Sequence, residues 1–145
     1  MSNTMKTTLG HLVVWLIVGC LMIIIFFTND TINNFTDDNS KTFLLANLVA
    51  LGYLSNAIVY FVQKSKKFGT KKDERDLLVQ SKAMHFSYVL IAAYIYLLAI
   101  GIYTKYESVG YVPIGWIWFL AYSMIVLLHI SLDIGLIYHY FKQGN

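Results

Sequence analysis

Four long apolar blocks, separated by polar segments, dominate the chain. They run over residues 9–27, 43–62, 83–103 and 115–141. Each is close to or above the ~20 residues that a helix needs to cross ~30 Å of hydrocarbon at 1.5 Å per residue. None shows the strict alternation of a barrel strand. Lipid offers no partner to an open backbone, so segments of this kind span as helices. The pattern predicts an all-α, integral membrane four-helix bundle, with residues 1–145 as a single transmembrane domain and the longest polar connector at 63–82. The second half of that connector reads as helix, because Thr70 and Asp73 have capping-box spacing and Leu77, Leu78, Ser81 and His85 fall on one helical face. The third span is therefore expected to begin as an amphipathic turn or two at the membrane surface.

Composition supports the membrane assignment and charge orients it. The chain is 57% hydrophobic and 13% charged, with a mean hydropathy of +0.58, against roughly 25% charge in a typical soluble domain. Seven of the eleven basic residues (Lys64, Lys66, Lys67, Lys71, Lys72, Arg75 and Lys82) lie in the 63–82 connector. Lys and Arg resist translocation. With that connector and both termini inside, nine basic residues are cytoplasmic, and only Lys41 and Lys105 lie outside. The chain is thus expected in a bacterial-type plasma membrane with both termini cytoplasmic. The first outer connector, carrying Asp30, Asp37 and Asp38, reads as a solvated turn. Topology already accounts for the basic segment, so no nucleic-acid partner is inferred. The lone Cys20 excludes an internal disulfide and a C-x-x-C exchange mechanism. It reads as a buried thiol rather than a lipidated cysteine, because the apolar run continues past it to Phe27.

The segment Asp73-Glu74-Arg75-Asp76, followed by Lys82-Ala83 at the start of a span, resembles the D-E-R-[DE] and K-A pattern of small bacterial and archaeal four-span membrane proteins belonging to families of unknown function. The likeness is strongest over residues 70–95. Similar proteins have no assigned activity, and some are encoded beside small helix-turn-helix regulators, so the resemblance implies a regulatory, sensory or immunity-type role. In that reading Lys71, Lys72, Asp73, Glu74, Arg75 and Asp76 contact a cytoplasmic regulatory protein or anionic lipid, to which each basic residue contributes ~1 kcal/mol. The alternative for the acidic residues is helix capping beside the lysines.

Inside the spans, Asp133 is the one deeply placed acid. Such a group costs at least ~2.5 kcal/mol to insert and is a functional candidate by default. His129 lies one turn earlier, and depth matching brings Asn56 and Tyr88 to a similar level, giving an expected polar layer of Asp133, His129, Asn56 and Tyr88. The stripe Tyr122, Val126, His129, Asp133, Leu136 and Tyr140 is expected to face the interior. Three readings stay open: interhelical hydrogen bonds that hold the bundle together; a proton or cation path using Asp133 and His129, as a channel or transporter and perhaps as a homo-oligomer; and a metal or haem site formed by His11, His85 and His139 near the inner interface. No enzyme motif appears: there is no G-x-S-x-G elbow, glycine-rich phosphate loop or paired intramembrane acids. The expectation is a non-enzymatic protein with no catalytic residues, metal ligands or cofactor. Glycines in the spans are expected to permit close helix approach.

Overall fold

A computed structural model of the chain describes residues 3–28, 30–35, 39–65 and 74–144. They form four helices, α1 (Asn3–Phe27), α2 (Asn39–Ser65), α3 (Glu74–Tyr106) and α4 (Ile114–Gly144), with no strand among the described residues. All four are long and apolar enough to cross a membrane. Local chemistry marks their ends. Glu74 and Asp76 occupy the first turn of α3, while Lys105 and Lys142 occupy the last turns of α3 and α4, each charge complementing the helix dipole. Gly110, at φ 78°, turns the chain after α3, and its N–H donates to the Tyr106 carbonyl at 3.1 Å. Pro113 immediately precedes α4, where its missing N–H leaves no bond unmade.

The helices pack in the spatial order α2, α1, α4, α3. The central pair meets along a stripe of α1, Trp15, Val18, Met22 and Phe26, spaced three and four apart and buried with Phe119 and Val126 of α4. Leu45 of α2 joins this core. The stripe expected on α4 is buried at Val126 and Asp133 and half-buried at Tyr122, His129, Leu136 and Tyr140. α3 uses small residues instead. Val79, Ala83 and Ser87 are buried, and a Cβ on Gly135 of α4 would stand 3.0 Å from the Ala83 Cα. Most other residues of α3 are exposed or half-buried, so most of its apolar surface faces whatever surrounds the bundle.

Two expectations are corrected. The first connector is no simple solvated turn, since Thr31, Ile32 and Phe35 are buried. Ile32 lies so close to α4 that a Cβ on Gly115 would overlap its backbone, and the Phe35 ring stacks on Phe26 at 5.5 Å and on Trp118 at 5.9 Å. Apolar side chains here outweigh the polar composition read along the segment; Asp37 and Asp38 lie outside the described residues. Cys20 is exposed on α1 rather than buried, because the buried stripe runs through its neighbours Val18 and Met22.

Candidate functional site

The polar layer is organised by a residue of α1. His11 lies one turn before Trp15, which the core buries completely. Its Nδ1 lies 2.6 Å from Asp133 Oδ2 on α4, and its Nε2 contacts Asn56 Oδ1 on α2. The Trp15 indole N–H points into the same junction, 3.1 Å from His11 Nε2 and 3.4 Å from Asn56 Oδ1. Asp133 is buried, and the side chains of His11 and Asp133 are 17% and 6% exposed. Three helices therefore meet at one imidazole.

Local sequence explains how they approach. Gly52 faces the Trp15 ring so closely that a Cβ there would stand 2.8 Å from Cη2. One helical turn later, the same face of α2 delivers Asn56 to His11. Behind Trp15 the His129 ring lies parallel, with centroids 4.0 Å apart and planes at 9°. The Tyr53 ring meets Trp15 at 5.6 Å and His129 at 5.3 Å, both edge-on. The His129 Nε2 is buried and has no hydrogen-bond partner among the described residues.

The surroundings of His11 accommodate two protonation states. With a single proton on Nδ1, His11 donates to Asp133, and Nε2 accepts the Trp15 indole proton; Asn56 then turns its amide N–H toward the junction, an exchange of oxygen and nitrogen that leaves its shape unchanged. With both nitrogens protonated, His11 donates to Asp133 and to Asn56 Oδ1, and the Trp15 indole N–H donates to Asn56 Oδ1 instead. In the doubly protonated state the imidazolium faces the Asp133 carboxylate; in the singly protonated state the carboxylate keeps the Nδ1–H hydrogen bond but has no opposite charge beside it. The cluster can thus gain or lose a proton without dismantling its packing.

Asp133 and Asn56 are brought together, but through His11. His129 does not bond Asp133 in spite of their one-turn spacing; it joins the cluster through the Trp15 stack. Tyr88 is a correction: it is 60% exposed and lines a cavity of about 170 Å³ with Met84, Ser87, Leu128 and Leu132, away from the cluster. Depth placed it correctly along α3, but its direction around the helix does not point at Asp133. Tyr94 supplies one polar contact between α3 and α4, donating to Ser123 Oγ at 2.6 Å. The metal or haem reading, one of the three left open, groups His11 with His85 and His139, whereas the His11 nitrogens are taken by Asp133 and Asn56; among the described residues no group of three potential metal ligands converges. In the connector, Lys71, Lys72, Asp73 and the Arg75 side chain lie outside what the structure describes. Glu74 is exposed, and Asp76 accepts a hydrogen bond from the Tyr140 hydroxyl at 2.8 Å, tying the start of α3 to the end of α4. Compared with models of known families, with characterised proteins and with solved structures, the chain has no match, so what the cluster does follows from its own geometry.

Proposed function

We propose that this is a small multi-pass membrane protein with a non-enzymatic sensory or regulatory role, governed by protonation of the His11–Asp133 pair within the membrane. The observation that carries the reading is the buried junction of α1, α2 and α4 at an imidazole whose neighbours serve both of its proton states. Protonation redistributes hydrogen bonds among three helices at once. α2 leads directly into the 63–82 connector, so a small change at Asn56 is passed to the basic segment that includes Lys71, Lys72 and Arg75. That segment engages a cytoplasmic regulatory protein or anionic lipid, in the orientation supported by the distribution of Lys and Arg. A bacterial-type plasma membrane suits the same charge pattern.

The test uses the full chain in vesicles containing anionic lipid, with an environment-sensitive fluorophore at position 70 and pH varied from about 5 to 8, the range in which histidine commonly changes charge. The wild-type signal is expected to follow pH and the D133N signal to be flat. Identical pH profiles would defeat the proposal. Proton or cation conduction is the second reading, favoured by the unpartnered His129 Nε2 one stacked ring beyond Trp15. It requires proton flux into vesicles that D133N abolishes, and wild-type vesicles as tight as empty ones would exclude it.

A further inference from the structure

At the end of the bundle opposite the termini, the folded first connector and the ends of α3 and α4 enclose a cavity of about 100 Å³, lined by Phe26, Phe27, Asp30, Asn33, Lys105 and Trp116, with Ile32 and Tyr106 completing the wall. That is room for several water-sized groups, and its exposed lining residues Phe27, Asp30, Asn33 and Lys105 leave it accessible from the surroundings. Its chemistry is divided. On one side Lys105 places its ammonium 5.4 Å from the Tyr106 ring and 5.3 Å from the Trp116 ring. The Tyr106 hydroxyl accepts the Trp116 indole proton at 2.9 Å, so its own proton is available for donation; no acceptor for it occurs among the described residues. On the other side stands Asp30, held at φ 54° in a tight turn. Its carbonyl accepts from the Asn33 and Asn34 N–H groups, and one carboxylate oxygen accepts from Asn33 Nδ2 at 2.6 Å. The second oxygen has no donor among the described residues. No ion pair joins Lys105 to Asp30 among the described residues, although they share one cavity.

The wall around these groups is firmly built. Ile32 is pressed on the start of α4 at Gly115, and Phe27 meets Trp116 at 6.2 Å and Phe119 at 5.4 Å. A cation, a phenolic donor and a carboxylate lining one cavity among aromatic rings match a zwitterion whose anionic and cationic groups are a few bonds apart. A free carboxylate facing an ammonium also favours a headgroup that can donate hydrogen bonds over a quaternary one. Tryptophan and tyrosine at span ends mark the headgroup level of the bilayer, which is where such a molecule is most concentrated.

We infer that this cavity is a binding site for the headgroup of an ethanolamine phospholipid, with the phosphate against Lys105 and the Tyr106 hydroxyl, the ammonium against Asp30, and the glycerol end passing over Phe27 toward the hydrocarbon. The site is independent of the His11 cluster.

The full chain, extracted from bilayers of equimolar phosphatidylethanolamine, phosphatidylglycerol and phosphatidylcholine, is analysed by native mass spectrometry for retained lipid. One phosphatidylethanolamine is expected to be retained preferentially. Lys105→Gln is expected to weaken retention at least tenfold. Asp30→Asn, which tolerates the same left-handed backbone, is expected to erase the preference for ethanolamine over glycerol headgroups. Both positions are exposed, and helical content measured on the same samples verifies folding. Equal retention of the three lipids by the wild type, or unchanged selectivity in both variants, would overturn the inference. Soluble O-phosphoethanolamine binding as tightly as the lipid would also overturn it, by assigning the site to a free phosphoester.

Discussion

At the scale of single residues, the His11–Asp133 pair makes an asymmetric expectation. Replacing His11 with Leu leaves a carboxylate buried against apolar neighbours, whereas replacing both residues with Leu removes the need for either partner. Breaking a buried pair costs ~3–5 kcal/mol in soluble interiors, while hydrogen bonds between membrane helices average nearer ~0.6 kcal/mol because the unfolded chain finds other partners. A carboxylate stripped of its imidazole belongs closer to the first figure. H11L is therefore expected to destabilise by ~2–4 kcal/mol, the H11L/D133L pair by less than H11L alone, and D133N least, since its amide oxygen still accepts the His11 Nδ1 proton. Unfolding in mixed micelles measures all three, and a double variant as damaged as H11L or more would refute the coupling. Asp133 and Asn56 stand out in sequence as polar groups inside apolar blocks. His11 is as visible in kind, two residues into the first block, but its nearness to the chain end resembles an ordinary interfacial position. Only the packing of α1 between α2 and α4 distinguishes the two.

At the scale of helices, close approach is set by which glycines lie under a neighbour. Gly135 meets the backbone of Ala83, whereas Gly10 and Gly101 have nothing within 4 Å. Backbone cannot rotate away as a side chain can. Gly135→Ala is thus expected to cost ~1–3 kcal/mol by forcing α3 from α4. Gly101→Ala is expected to be neutral or stabilising by up to ~1 kcal/mol through helix propensity. Equal effects in a thermal unfolding series would show that the α3–α4 crossing is looser than described. The same distinction separates what sequence reveals from what it hides. Hydropathy gives length and depth, so the four blocks recover the four helices with ends displaced by several residues, most at α3, which begins at Glu74. It gives little information on rotation about the axis in a helix apolar all round. Depth accordingly matches Tyr88 to Asp133 although it faces outward, and the burial of Ile32 and Phe35 in the first connector is hidden among Asn, Asp and Thr.

At the scale of the whole molecule, four crossings return the chain to the face where it began, and the surplus of Lys and Arg is the ground for proposing that this face is cytoplasmic. In a C20A background, cysteines at Asn33 and Glu107 are expected to react with an impermeant maleimide from outside intact cells, and cysteines at Thr70 and Gln143 only after permeabilisation. The reverse pattern would invert the protein. The position of the proton site then has a directional consequence. His11 is eight residues beyond Asn3, the first residue of α1, or ~12 Å along its axis at 1.5 Å per residue. Asp133 is eleven residues before Gly144, the last residue of α4, so under the proposed function a proton has a shorter path to the pair from the face bearing the termini than from the other. Trp15, stacked on His129 and bonded at the His11 junction, supplies an internal reporter once Trp116 and Trp118 are replaced by Phe. In oriented vesicles its emission is expected to follow pH on the face bearing the termini and to ignore pH on the other. Emission that follows only the opposite face would show that protons reach His11 along the bundle from the far side, a route that a sensor does not need and a conductor does.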